Sequence, residues 1–150
     1  MRIAAGEQFS SKWEFRQLIE EEWIDYARID LCIVGGFTEA RKIAGWCETH
    51  YIKLATHNPL GPISTAACLH LNLATPNFGV QEWAVNGAQK PTPVLPDIFS
   101  PPLAWADGYL LPPTGPGLGI EFDREAARKR PFQMRKMPHL QREDGLLTNW

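Results

Sequence analysis

Paired cysteines are lacking: Cys32, Cys47 and Cys68 are the only three, and no two of them make a C-x-x-C pair. An odd, scattered set argues against a disulfide framework and for a reducing compartment, with the cytoplasm as the expected location. A surplus of positive charge is lacking as well. Lys and Arg number 15 against 17 Asp and Glu, a net charge of -2, whereas nucleic acid and anionic membranes need a concentrated basic surface. Arg124, Arg128, Lys129, Arg130, Arg135 and Lys136 do cluster, but Glu121, Asp123 and Glu125 interleave with the first of them, as on a solvated face. No apolar run approaches the roughly 20 residues of a membrane span, and Met1 to Gly6 lacks the length of a signal-peptide core. Neither nucleic acid nor a membrane is expected as a partner.

What is present is the balance of one soluble globular domain, with 44% hydrophobic and 21% charged residues over 150 positions. From residue 1 to about 85, short β-type runs alternate with longer helical patterns, as in βα units around a parallel sheet. Arg2-Ile3-Ala4-Ala5 reads as a strand, Gly6-Glu7 as the turn at its end, and Ser11-Lys12-Trp13-Glu14 as a capping box opening a helix to about Glu22. Ile24 to Ile29 reads as the second strand, after which Phe37, Ala40, Ile43, Ala44 and Cys47 fall on one helical face. Ile52 to Ala55 makes a third strand. Asn58-Pro59-Leu60-Gly61-Pro62 then forces a turn, with a proline where a first helical turn tolerates it. The apolar stripe of that helix is expected at Ile63, Ala66, Ala67, His70, Leu71 and Ala74, ending before Pro76. Phe78 to Gln81 is the fourth strand.

Beyond about Gly87 the composition changes. Pro91, Pro93, Pro96, Pro101, Pro102, Pro112, Pro113 and Pro116 are too dense for any helix or central strand. Trp105, Tyr109, Leu110 and Leu111 sit among them, so this stretch reads as a tail wrapped on a body rather than a disordered linker. Residues 123 to 130 are expected to add one short helix. The division is therefore residues 1–86 as the βα body and residues 87–150 as a packing tail.

In a parallel αβ barrel, function collects at the C-terminal strand ends. The polar residues closing the four β-type runs are Glu7, Asp30, His57 and Glu82, separated by 23, 27 and 25 positions, about one βα unit each time. Singly, each has a plain alternative: a turn carboxylate, a helix cap, a turn hydrogen-bonder, a rim charge. Jointly, a carboxylate, a histidine with an aspartate to orient it and a second carboxylate match an acid/base and metal-binding constellation. His70 falls on an expected apolar stripe and reads as a packed histidine. Cys47-x-x-His50 has half the spacing of a zinc site without a partner pair. Trp83, Trp105 and Trp150 read as packing aromatics, and His139 has no assignment.

Gly6-Glu7, Asp30 followed by Gly35-Gly36, His57-Asn58-Pro59-Leu60-Gly61-Pro62 and Gln81-Glu82 together resemble the mandelate racemase-like branch of the enolase superfamily, and within it the galactonate dehydratase-type acid-sugar dehydratases. Thr75-Pro76-Asn77-Phe78, Pro116-Gly117-Leu118-Gly119 and Glu143-Asp144-Gly145 extend the likeness along nearly the whole chain. The resemblance implies an α/β fold, the C-terminal half of a TIM-type (β/α)7β barrel of about four βα units, plus the Pro-rich wrapping tail. It implies Glu7 as the last of three carboxylate ligands to Mg²⁺, His57 as the general base, Asp30 as its orienting partner, and Glu82 as a hydrogen-bonder to the substrate carboxylate or enediolate. The implied reaction removes the α proton of a sugar acid and eliminates water to leave a 2-keto-3-deoxy acid.

The same resemblance places a capping domain, two further metal carboxylates and a second acid/base group outside this sequence. This polypeptide is thus expected to be inactive alone, to bind metal poorly, and to associate with itself or with a missing N-terminal half through open sheet edges. Two other readings stand beside the dehydratase. One is an inactive remnant or half-barrel structural module. The other is a racemase, epimerase or cycloisomerase sharing the enolate step.

Overall fold

Each β-type run of the first half is short because few of its residues pair, yet every one pairs in parallel. The computed structural model describes residues 1–83, 95–134 and 140–148. In the first of these stretches the order is β1 (Ala4–Ala5), α1 (Lys12–Glu20), β2 (Tyr26–Ala27), α2 (Gly36–Thr49), β3 (Lys53–Thr56), α3 (Pro62–Leu73) and β4 (Phe78–Gln81). The strands form one parallel sheet in the order β1-β2-β3-β4. Three helices connect consecutive parallel strands, which is the βα rhythm expected from the sequence.

The helices form where local chemistry favours them. At the start of α1 the Glu14 carboxylate accepts hydrogen bonds from the backbone N–H groups of Ser10 at 2.7 Å and Ser11 at 3.0 Å, satisfying donors a helix end leaves free. The Ser10 hydroxyl, foremost, and then its N–H hold that carboxyl below its usual range. In α2 the buried residues are Ala40, Ile43, Ala44 and Cys47, a stripe at helical spacing facing the sheet. Phe37, expected on that stripe, lies in the first turn and is 39% exposed. The core joins Phe15 and Ile19 of α1 to Ala27, Ile29, Ile43, Cys47, Ile52, Leu54, Cys68 and Leu71. The Phe, Ile and Leu side chains among these contribute about 1.5–3 kcal/mol each when fully buried.

The third helix departs from expectation in its rotation. Ile63 and Ala74 are exposed, while Ser64, Thr65, Cys68, Leu69 and Asn72 are buried beside Ala66 and Leu71. The buried face is half polar because it meets polar strand residues. Asn72 Nδ2 donates to Thr56 Oγ1 at 2.9 Å and to Gln81 Oε1 at 2.8 Å, and Gln81 Nε2 donates to the Thr65 carbonyl at 3.2 Å. Hydrogen bonding removes most of the cost of burying such groups, so apolar periodicity alone misplaced this face. His70 is half-buried, with no partner for its Nε2 among the described residues.

Sheet register carries a further feature. Leu54 is opposite Phe78, but Ala55 is opposite Val80 and Thr56 opposite Gln81, so β4 holds one extra residue at Gly79. A Cβ there would lie 2.9 Å from the Leu54 carbonyl oxygen and 2.7 Å from Tyr26 Cε1, which only glycine avoids.

The tail behaves differently. Here β5 (Phe99–Ser100) pairs antiparallel with β8 (Glu121–Phe122), β6 (Trp105–Ala106) with β7 (Tyr109–Leu110), and α4 (Arg124–Arg128) follows, near where a short helix was expected. Further on, β9 (Leu140–Gln141) pairs antiparallel with β10 (Leu147–Thr148). No described tail residue joins the core cluster. Arg128 pairs with Glu125, and Arg130 makes two contacts to Asp97 at 2.8 and 3.0 Å, so these basic residues are partnered on a solvated face. The 86/87 boundary, Pro91, Pro93, Arg135, Lys136, His139 and Trp150 lie outside the described residues. Among the described residues no helix is long and apolar enough to cross a membrane.

Candidate active site

All four residues singled out by position stand just past the C-terminal ends of the parallel strands: Glu7 after β1, Asp30 after β2, His57 after β3 and Glu82 after β4. Parallel pairing sends those ends to one side of the sheet, which is why residues 75 positions apart can share a mouth.

The best-defined contact is the one between His57 and Asp30. His57 Nδ1 lies 3.0 Å from Asp30 Oδ2, while Asp30 Oδ1 accepts the Cys32 backbone N–H at 2.7 Å. Asp30 is only 2% exposed, so its charge is held by these two donors rather than by water. A carboxylate at Nδ1 makes that nitrogen the donor and leaves Nε2 free to take a proton. Nε2 faces Glu82, with Oε2 at 3.9 Å.

Glu82 itself is held from two sides. Its Oε1 is paired with the Arg28 guanidinium and its Oε2 accepts the Asn58 backbone N–H at 3.3 Å. The extra residue at Gly79 decides which side chain occupies this place. Without it, Gln81 would stand opposite His57; with it, Gln81 is opposite Thr56 and turns to α3, and the Glu82 N–H donates to the Thr56 carbonyl at 3.1 Å.

Arg28 is the functional candidate that sequence reasoning missed. Its guanidinium sits between two carboxylates, paired with Glu82 and 3.4 Å from Glu7 Oε2. The signal was available: Arg28 lies two positions before Asp30, and side chains at i and i+2 of a strand share a face. Inspecting only the last residue of each run passed over it.

Glu7 is placed by a tight turn. Gly6 has φ +113, and a Cβ there would meet Phe15 Cε1 at 2.4 Å, so glycine both permits the turn and lets α1 close on it. Glu7 offers a hard carboxylate oxygen, the donor type Mg²⁺ takes. Among the described residues no group of three His, Cys, Asp or Glu stands together to hold a metal. One oxygen ligand does not make an octahedral site, so the residues described here do not fit Mg²⁺ by themselves. Cys47 and His50 do not converge on a metal either. The Cys47 thiol is fully buried, and burial pushes it up to about 12; His50 Nδ1 lies 3.5 Å from Glu22.

A parallel βα sheet with a histidine, an aspartate and flanking carboxylates at its C-terminal edge has its polar groups where parallel αβ barrels carry their sites. Comparison with known proteins identifies the family. Residues 1–127 match the family described as enolase C-terminal domain-like, and the chain belongs to the enolase superfamily. Its β1–β4 and α1–α3 are the C-terminal half of a TIM-type barrel.

Among curated relatives, a D-mannonate dehydratase of Caulobacter vibrioides is 37% identical over 99% of this chain and 36% of its own length. A D-galactonate dehydratase family member of Streptomyces bingchenggensis is 38% identical over 99% of this chain and 35% of its own. The chain thus spans about a third of the curated relatives it matches. Among solved structures, an enolase from Agrobacterium radiobacter with sodium and L-malate bound superposes with a TM-score of 0.82, at 31% identity, over 96% of this chain and 39% of that one. An enolase from Pantoea ananatis with D-gluconate and magnesium bound gives 0.78, at 35% identity, over 89% of this chain and 31% of that one.

Proposed function

We propose that this chain carries the proton-abstraction side of an acid-sugar dehydratase site. The observation that bears most weight is the His57–Asp30 pair at 3.0 Å, with the free Nε2 directed at a mouth lined by Glu82 and Arg28. In this reading His57 Nε2 takes the proton from C2 of a sugar acid, and Asp30 stabilises the imidazolium that forms. Arg28 meets the negative charge as it grows on the enediolate oxygens, and Glu82, paired with Arg28, orients the guanidinium toward them. The electron pair left at C2 forms the C2–C3 double bond as the C3 hydroxyl departs with a proton as water, and the enol tautomerises to a 2-keto-3-deoxy acid.

Glu7 would hold Mg²⁺ only together with further carboxylates from beyond this segment, and a metal held there would supply positive charge for the enediolate oxygens. The barrel needs the same complement. Val80, on the face that β4 shares with His57, is 54% exposed, and β1 and β4 have no further strand partner among the described residues. The remainder of a barrel is the proposed cover for these edges. Co-expression with an N-terminal segment of a relative should raise solubility, and a stable dimer of this chain alone would favour the half-barrel module instead.

The chemical test uses the protein with its complete barrel, Mg²⁺ and a panel of sugar acids in D₂O. Loss of water to a keto acid, abolished together with C2 proton exchange by His57→Asn, is the expected result. Deuterium at C2 without elimination would point to an epimerase. Exchange untouched by His57→Asn would remove His57 from the role of base.

A further inference from the structure

Glu82 lies at a strand end with its side chain 39% exposed, a setting in which a carboxylate ordinarily samples several rotamers. Its two oxygens nonetheless have different fixed partners, and Asn58 accounts for the one facing His57. Asn58 directly follows His57 and is 1% exposed. Its backbone N–H donates to Glu82 Oε2 at 3.3 Å, and its side-chain Nδ2 donates to the Glu82 carbonyl at 3.1 Å. The same Nδ2 donates to Thr65 Oγ1 at 2.8 Å, and Thr65 Oγ1 donates in turn to the Gly61 carbonyl at 3.2 Å.

We propose that Asn58, anchored by Thr65 on α3, is a positioning residue that clamps Glu82 against His57. Resting on the reading of His57 as the base with Glu82 and Arg28 beside it, the proposal adds how the separation of His57 and Glu82 is set. One residue grips Glu82 by main chain and side chain together. Since Asn58 is the neighbour of His57 in sequence, the end of β4 is tied to the end of β3 at the point where the two functional groups meet. Arg28 then holds Oε1 while the Asn58 N–H holds Oε2, and two donors on different oxygens fix the carboxylate plane as one would not. Thr65 keeps the amide from turning away, which explains why the buried face of α3 carries a hydroxyl there. Asn58 touches no substrate in this arrangement; it acts through Glu82.

The test takes the protein with its complete barrel and follows both rate and geometry. Asn58→Ala should lower kcat by about 10- to 100-fold with little change in KM, because a small displacement of an oriented group costs rate before it costs binding. In a Glu82→Gln background the same substitution should cost nothing further; additive losses would overturn the clamp. Thr65→Val should reproduce the loss and Thr65→Ser should restore the rate.

Should Asn58→Ala fail to fold, the Thr65 pair decides alone. An independent readout needs no turnover: the Glu82 carboxyl ¹³C and Arg28 guanidinium ¹⁵N resonances should move in Thr65→Val and stay in Thr65→Ser. Unmoved resonances in Thr65→Val overturn the proposal, whereas moved resonances in a protein inactive on every sugar acid would leave the clamp standing and remove the dehydratase reading.

Discussion

The βα body and the tail are stabilised in different ways. Between Phe15 and Leu71 the body gathers a single buried cluster, with Phe15, Ile19, Ile29, Ile43 and Leu54 fully buried. Across residues 95–134 Ile98 is the buried hydrophobic among those described, and order comes from two-residue strand pairs, the Phe99–Phe122 ring contact at 5.6 Å and the Arg130–Asp97 ion pair. A surface stretch of this kind has few contacts to lose, while a close-packed core feels each missing methylene. All four candidate site residues and Arg28 hang from the body, so the candidate site rests on the region with the buried core.

The largest expected effect tests that contrast directly. Ile43→Ala should cost about 2–5 kcal/mol in urea unfolding, while Phe132→Ala, at a side chain 85% exposed, should stay within about 0.5 kcal/mol. Similar losses at both positions would erase the distinction. Next comes Gly6→Ala, which adds a Cβ 2.4 Å from Phe15 Cε1 at φ +113. Strain and overpacking together should cost about 2–4 kcal/mol, and the turn carrying Glu7 should shift with the core. A neutral melt would show that site and core are less closely joined than the geometry requires.

A smaller effect has the opposite sign. Tyr51 follows the end of α2 at φ 57 and is 95% exposed, so Tyr51→Gly relieves left-handed strain without removing packing and should stabilise by about 1 kcal/mol in a thermal melt. The smallest effect concerns the tail. Hydrogen bonds from Arg130 are the foremost cause holding the Asp97 carboxyl below the usual aspartate range. A depressed carboxyl contributes stability above its unfolded pKa and loses it as pH falls through the folded value. A ¹³C titration should therefore show Asp97 protonating late, and Arg130→Gln should raise its midpoint. On acidification the Phe99 and Phe122 resonances should broaden before those of Ile43; simultaneous loss would mean that body and tail are one cooperative unit.

Much of the body was legible in advance. The capping glutamate of α1, the α2 stripe from Ala40 to Cys47 and the proline opening α3 are local signals, and each element formed close to its expected place. The α3 face was misread because Asn72 is buried by virtue of partners on β3 and β4, and Thr65 by virtue of Asn58 just past β3, none of which lies within α3. Arg28 was missed because its importance lies in two carboxylates, 21 positions before it and 54 after it.

By itself the sequence determined which residues close each strand, since backbone preference, capping and periodicity act over a few neighbouring positions. It thereby placed Glu7, Asp30, His57 and Glu82 at one edge of a sheet. Only the tertiary structure decided what those residues do to one another: that His57 meets Asp30 through Nδ1, that Arg28 stands between Glu7 and Glu82, and that Asn58 holds Glu82 in place. The extra residue at Gly79 is the clearest case. Strand register has a period of two, so one inserted residue exchanges the faces of Gln81 and Glu82, and that insertion is defined only by the strand paired beside it.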